Sequence, residues 1–559
     1  MRPIACLALL GLSVAPVLLG PARAVAADPV VAVVAIDSYA DVKSQLGWLG
    51  QRVGNPQLAA LAESFVMMAT QFKGLAGLDA KRPLGVVVTA SGELPVVHGY
   101  VPVKDLDRLL DVFKGTTGPV DQAGGKRLVT LPTGLRLEIT ERDGWAVIAP
   151  VGSPAGPERP EQLIGELAKT FSIGGQVFPA RMPEGMRRRV REMIEQGADA
   201  AAAQGQPMDA AALDAAFEGL DETESLRFGL AIDPDGDQVF IESGSWMVPG
   251  TAGAAAWAAA AKTQNALRLP EAGDGKQAAI LGHHAQAVPE ATRLAVEATL
   301  AQALPAGSGD PLSDAVFGLV QDIIGGMLDT GGLDLGLAVD TSGVAADDLL
   351  PAITLAARIK DGPALEEQVK NRVGKEGALP EEVTIRFDAG RVAAANLHEV
   401  EIDISGTPLA ANLGDTVRAT LAVTDDRAFL LAGGDVADRI ARAVAAGAKA
   451  DPDAEPLTQL DLSVPGLLAF AATVTTTTRP DEPLGEALAT AAEEAAAKKS
   501  AMVRMTMRPI ERGGVMRLAA EGGAIEAIAG AVTARATAVG PAGGGLPMPL
   551  ERSAPALAP

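Results

Sequence analysis

Leu75-Ala76-Gly77-Leu78-Asp79, followed by the apolar run Leu84 to Val88 and by Thr89-Ala90-Ser91-Gly92, has an echo later in the chain. The echo is Gly331-Gly332-Leu333-Asp334, then Leu335 to Val339, then Asp340-Thr341-Ser342-Gly343. An amphipathic segment precedes each, Leu58 to Phe72 and Leu312 to Leu328. Val103-Lys104-Asp105 then starts a helical pattern, as does Ile359-Lys360-Asp361.

The correspondence continues outward. Asp143-Gly144-Trp145-Ala146-Val147-Ile148-Ala149 parallels Asp426-Arg427-Ala428-Phe429-Leu430-Leu431-Ala432. Leu226 to Ile241 parallels Val503 to Leu518. Each of these last two is a pair of alternating runs around a polar, Gly-containing turn, which is a hairpin signature. The matches keep their order while the offset drifts from 251 residues (Gly85 to Gly336) to 277 (Arg227 to Arg504), as changes in loop length would produce.

Within each unit the pattern reads strand, two helices, two strands, helix, three strands, helix, strand, Pro-started helix, hairpin, helix. Mixed rather than strictly alternating elements predict an α+β fold. We expect two tandem copies of a mixed, largely antiparallel sheet with helices packed on one face. The expected boundaries are 28–263 for repeat one, 264–275 for a linker, 276–537 for repeat two, and 538–559 for a disordered Gly/Pro/Ala-rich tail.

The N-terminus reads as an address. Arg2 precedes an uncharged apolar stretch from Ile4 to Leu19, followed by Ala22-Arg23-Ala24 and Ala24-Val25-Ala26. Basic, apolar, then small-x-small is the order of a secretory signal peptide, assigned here to residues 1–27. Cys6 lies before most of the apolar stretch, so it is not placed for lipidation and leaves with the signal. The mature chain then has no cysteine, and no disulfide or thiol chemistry. No later segment reads as a membrane span. The expected location is therefore periplasmic or extracellular.

Composition narrows the function. The 559 residues carry a net charge of −23, which becomes −25 when Arg2 and Arg23 are removed. This argues against a nucleic-acid binder, which needs clustered Lys and Arg against phosphate. Four His leave few transition-metal ligands, and four Trp, two Tyr and twelve Phe are too few for stacking platforms. All the Trp and Tyr fall in repeat one, which makes that half the better candidate for a binding role.

Val101-Pro102-Val103-Lys104-Asp105-Leu106-Asp107, Gly144-Trp145-Ala146-Val147-Ile148-Ala149 and the Arg-rich segment opened by Pro183, together with the signal, carry a family resemblance. The chain resembles the uncharacterised large exported two-repeat proteins typical of planctomycete genomes. The resemblance covers most of repeat one and weaker parts of repeat two. It implies a compartment and an architecture, and no activity.

Catalytic and cofactor motifs fail on context. Gly273-Asp274-Gly275-Lys276-Gln277-Ala278 has dinucleotide-fingerprint spacing but precedes a strand instead of following one. Gly124-Gly125-Lys126-Arg127 lacks P-loop spacing and the Ser or Thr for Mg²⁺. No G-x-S-x-G elbow occurs. Asp233, Asp235 and Asp237 alternate as in a Ca²⁺ loop, but Gln238 and Gly244 stand where Gly and Glu are needed. The adjacent His283 and His284 point to opposite faces of a strand and cannot share a metal. These readings give no cofactor, no metal and no enzyme.

One surface feature stands out. Met182-Pro183-Glu184-Gly185-Met186 leads into Arg187-Arg188-Arg189-Val190-Arg191. In so acidic a chain, Arg187, Arg188 and Arg191 form a candidate patch for an anionic partner. The same arginines also read as a solvated face pairing with Glu192 and Glu195 one turn on. The leading expectation is an exported, non-enzymatic structural or interaction protein of the bacterial cell envelope, with an unknown envelope protein as partner. The alternative is a carrier for an apolar or amphiphilic ligand, because Ala/Leu/Met-rich helices on a sheet can enclose an apolar cavity.

Overall fold

The computed structural model describes residues 28–538 apart from 125, 132, 203–209, 264–266, 268, 270–277, 289–292, 294–310, 347, 375–378, 409, 448–455 and 499. The segment read as a signal, most of the expected linker and nearly all of the expected tail lie outside the described residues. Two described residues of the linker stretch, Leu267 and Leu269, are buried in a core of the second half.

Twenty strands, every pairing antiparallel, form one sheet among the described residues. In the first half these are β1 (Val30–Ile36), β2 (Leu84–Ser91), β3 (Leu94–Pro102), β4 (Asp121–Ala123), β5 (Lys126–Thr130), β6 (Arg136–Arg142), β7 (Trp145–Pro150), β8 (Ile173–Val177), β9 (Thr223–Asp233) and β10 (Gln238–Met247). They lie in the order β4-β5-β6-β7-β3-β2-β1-β8-β9-β10.

The second half contributes β11 (Ile280–Ala287), β12 (Gly332–Asp340), β13 (Ala352–Arg358), β14 (Val383–Val392), β15 (Ala395–Asp403), β16 (Thr416–Val423), β17 (Arg427–Ala432), β18 (Thr458–Ser463), β19 (Met502–Ile510) and β20 (Gly513–Glu521). Their order is β14-β15-β16-β17-β13-β12-β11-β18-β19-β20, the first order with each index raised by ten. β10 pairs with β20 from Gln238↔Glu521 to Trp246↔Gly513, so the two halves share one sheet. Four strands, not three, follow the helix that begins after Asp105, because residues 121–130 form the short β4–β5 hairpin.

The described helices are α1 (Tyr39–Arg52), α2 (Leu58–Ala69), α3 (Leu106–Thr117), α4 (Pro160–Ala168), α5 (Glu184–Ala202), α6 (Ala210–Asp221), α7 (Ala252–Ala260), α8 (Pro311–Leu328), α9 (Gly362–Val373), α10 (Ala410–Leu413), α11 (Val436–Gly447), α12 (Val464–Thr478), α13 (Leu484–Ala496) and α14 (Gly522–Ala538). The echoing segments share their local chemistry. Asp105 caps α3 by accepting from Arg108 N–H, and Asp361 caps α9 by accepting from Ala364 N–H, both at 3.0 Å and both from extended backbone. A side-chain cap satisfies one of the amides that open a helix and contributes about 1 kcal/mol.

Helices pack on both faces of the sheet, not on one. On one face, Ile164 and Leu167 of α4 meet Val33, Phe171 and Phe240, while Ile440 and Ala443 of α11 meet Phe429 and Leu431. On the other face, α3 covers Ala146 and Ile139 at one end of the sheet, and α8 with α9 covers Ala357, Leu421 and Ala428 at the other end. Trp145 and Phe429, from the echoing strands, are each 1% exposed. Burying one such ring contributes about 1.5–3 kcal/mol.

The middle of that second face is open in part, with Trp257 of α7 covering only its Gly514 end. Val34, Phe228, Leu230, Ile241, Met516 and Leu518 project from it with 36–56% of their surface exposed. The register aligns them: Ile241 lies between Leu230 and Leu518, and Phe228 and Met516 flank Ser243.

Candidate functional site

The open part of that face leads into a cavity in the second half. The row of register partners Leu518, Met505, Leu460, Gly282, Leu337, Leu355 and Leu430 crosses β20, β19, β18, β11, β12, β13 and β17 in one line. Helix α8 lies over part of this row with Val320, Ile323, Ile324 and Met327. Between helix and sheet is a cavity of about 500 Å³, open to solvent. Pockets for small molecules are typically about 300–1,000 Å³.

The sequence builds this space in a simple way. Gly282 has no side chain where its partners carry leucines, so the sheet floor is hollow there. A Cβ on Gly282 would meet only Leu460 Cδ1 closer than 3.4 Å. The α8 residues follow helical spacing and bring one apolar stripe down on the floor. Among the described residues, no Asp, Glu, Lys or Arg lines the cavity.

Among the described residues, the polar ones that line the cavity are His283, His284, Thr458 and Gln459. His284 and Thr458 are register partners on the side of the sheet that carries Gly282 and Leu460, and His284 Nδ1 lies 2.8 Å from Thr458 Oγ1. His283 is one residue out of phase and bonds the Pro456 carbonyl through Nε2 at 3.0 Å. Gln459, its register partner, donates to Asp461 at 2.7 Å.

The lopsided aromatics point to the first half, yet this cavity is in the second. Trp145 and Tyr100 are internal: their rings meet edge to face at 6.1 Å, Arg82 lies 4.4 Å over Trp145, and Trp145 Nε1 donates to Glu161 at 2.7 Å. Trp257 covers Gly514, where an added Cβ would come within 2.2 Å of the ring. These aromatics hold the sheet and its helices together.

The arginine segment forms the start of α5. Arg188 is exposed and Arg187 half-buried. Arg191 turns away into an ion pair with Asp221 of α6, with its guanidinium 5.7 Å over the Phe217 ring. The three arginines thus sit on one helix, and one of them is engaged by the neighbouring helix.

The alternating aspartates are a turn. Asp233 accepts from Gly236 N–H at 2.9 Å, and Asp237 binds Arg52 of α1 and, at 3.0 Å, Ser500 Oγ. Sequence reading did not find a different group, Glu366, Asp388 and His398, whose ligand-type atoms lie within 4.8 Å of one another. Its residues come from α9, β14 and β15, too far apart in sequence to form a motif.

This group does not suit a metal ion. Asp388 N–H donates to His398 Nδ1 at 3.2 Å, so Nδ1 is the acceptor nitrogen and the ring proton sits on Nε2. Nε2 faces Glu366 Oε1 at 3.7 Å, so it has no lone pair there for a metal. Lys370 Nζ already lies 2.8 and 3.0 Å from the two Asp388 carboxylate oxygens and holds that carboxyl below its ordinary range. Burial pushes His398 down, against the charge of Glu366, which keeps the ring neutral. The cluster pins α9 to the β14–β15 hairpin.

No helix among the described residues is long and apolar enough to cross a membrane. Nothing among protein-family models, curated proteins or solved structures matches this chain.

Proposed function

We propose that this chain is an exported, non-enzymatic binding protein of the cell envelope that holds an apolar or amphiphilic ligand in the cavity beneath α8. The carrying observation is that cavity, whose described lining has no charged residue and which opens beside an exposed apolar stretch of the sheet. Apolar surface left in water costs about 25 cal/mol per Å², so binding a ligand that covers it is favourable. Export and an envelope location rest on the signal-like N-terminus.

The test is native mass spectrometry of the mature chain purified from its own envelope, followed by organic extraction. A reproducible lipid mass released by solvent, and absent from a Gly282→Phe variant with an unchanged melting curve, supports the proposal. A bare polypeptide mass that takes up no added alkane or alkanol overturns it.

A second reading, docking to an envelope protein, is favoured by α2 and the turn after it. Leu61, Phe65, Met68 and Phe72 follow one another at helical spacing and are each at least 50% exposed. Cross-linking in intact cells through a photoreactive residue at position 65 tests it: a discrete adduct supports docking, and its absence removes this reading.

A further inference from the structure

The cavity does not end where α8 ends. We infer that the site takes a long unbranched aliphatic chain, with one end beneath α8 and the rest laid across the seam onto Leu518, Ile241 and Leu230 of the open sheet face. This inference rests on the carrier reading above.

The floor of the cavity and the open face are one surface. Met505 of β19 lines the cavity, and its register partner is Leu518. Leu518 pairs in turn with Ile241, and Ile241 with Leu230. Register partners on antiparallel strands share a face, so all four point the same way. Leu518, Ile241 and Leu230 are 45%, 56% and 36% exposed. Every member of the row from Leu230 to Leu430 is Leu, Ile, Met or Gly.

The open part is long and narrow. On one flank, Ala520 pairs with Val503, which packs against the cluster holding Ala524 and Ala527 of α14. On the other flank, Trp257 of α7 covers Gly514. Between them the rows of Leu518 and Met516 stay exposed, and neighbouring rows on one face lie about 7 Å apart. Along the row, the cavity floor from Leu430 to Met505 crosses five strand spacings, about 24 Å. Three more spacings carry the row to Leu230, about 38 Å in all.

This shape selects against compact ligands. A ring system that fills the cavity leaves Leu518, Ile241 and Leu230 in water. A chain that runs out over them removes their apolar surface and its own. Each methylene taken out of water tightens binding by about fourfold, or about twofold when one side of the chain stays wet.

The experiment is equilibration of the full mature chain with decane or triacontane delivered from cyclodextrin. Decane is about 11 Å long when extended and triacontane about 37 Å, from C–C bonds of about 1.5 Å. Decane thus fits on the cavity floor, while triacontane must cross the seam. Gel filtration separates bound from free alkane, and gas chromatography–mass spectrometry of the protein fraction gives Kd. The double variant Ile241→Gln, Leu518→Gln changes two exposed positions outside the cavity lining, and an unchanged melting temperature checks its fold. It is expected to weaken triacontane by at least about tenfold and to leave decane within about twofold.

If the double variant weakens neither alkane, or weakens both equally, the path across the seam is overturned and the carrier reading stands. Binding of decane without triacontane has the same meaning. If the wild-type chain binds neither alkane, the carrier reading falls and the path falls with it.

Discussion

Arg517 Nε donates to Glu242 Oε2 at 2.8 Å, and these two residues are the central register pair of the nine that join β10 to β20. Glu242 is 14% exposed at its side chain, and the Arg517 guanidinium also lies 4.2 Å over the Phe240 ring. The seam between the halves is thus a backbone ladder with an ion pair at its midpoint, and Arg512–Glu224 at 2.7 Å and Arg52–Glu526 also tie the halves together. Arg517 is 41% exposed, so solvent screens the pair and its coupling should be about 1 kcal/mol. A double-mutant cycle with Glu242→Ala and Arg517→Ala, followed by urea unfolding, measures that coupling. Arg517→Ala should cost more than Glu242→Ala, because it also strips the packing from Phe240.

Gly77 lies in the stretch whose echo reveals the repeat, at φ +90. A Cβ there would sit 2.2 Å from the Asp105 carbonyl oxygen and 2.6 Å from Leu109 N, at the start of α3. Gly77→Ala should therefore cost about 2–4 kcal/mol, combining left-handed strain with overpacking. Gly331 in the echoing stretch is also left-handed, at φ +85, but an added Cβ would meet nothing within 4 Å. Gly331→Ala should cost only about 1–2 kcal/mol. Urea denaturation of the two variants separates a backbone role from a packing role.

Phe72 is a left-handed non-glycine residue, φ 65, with 76% of its surface exposed. Little packing is lost on removing its ring, while glycine relieves the backbone conformation. Phe72→Gly should be neutral or stabilise by up to about 1 kcal/mol, which a thermal melt would read as an unchanged or raised Tm. A clear loss of stability would show that the ring makes a contact worth more than the strain.

His98 is 1% exposed and sits 3.2 Å from Thr89 Oγ1. Burial lowers its pKa below the ordinary 6.5, with Asp28 acting in the opposite sense. Below pH 6.5 the unfolded chain takes up a proton that the folded chain does not. Stability from this group is therefore complete above 6.5 and is lost as pH falls from there through the folded value. His98→Gln should lose less unfolding free energy than the wild type between about pH 7.5 and pH 5.5. His398 shifts in the same direction. It is present in both proteins, so the difference between them reports His98.

Local sequence chemistry determined much of this protein. The alternating runs, the Asp105 and Asp361 caps, the polar turn at Asp233–Gly236 and the α+β class follow from period, capping and turn propensity, all set by neighbours in the chain. Tertiary structure alone decided which apolar face is covered. Along β9 and β10, Ala231 and Phe240 point one way into a core, while Leu230 and Ile241 point the other way into the open. Both sets are apolar, so alternation separates the faces without saying which one a helix covers. That depends on where distant helices land: α4 and α11 on one face, and α3, α8 and α9 toward the ends of the other with α7 over the Gly514 end of β20. The cavity has the same origin. Gly282, Leu337, Leu460 and Ile323 are unremarkable in sequence, and they meet only because strand pairing and helix packing bring separate segments onto one patch of sheet.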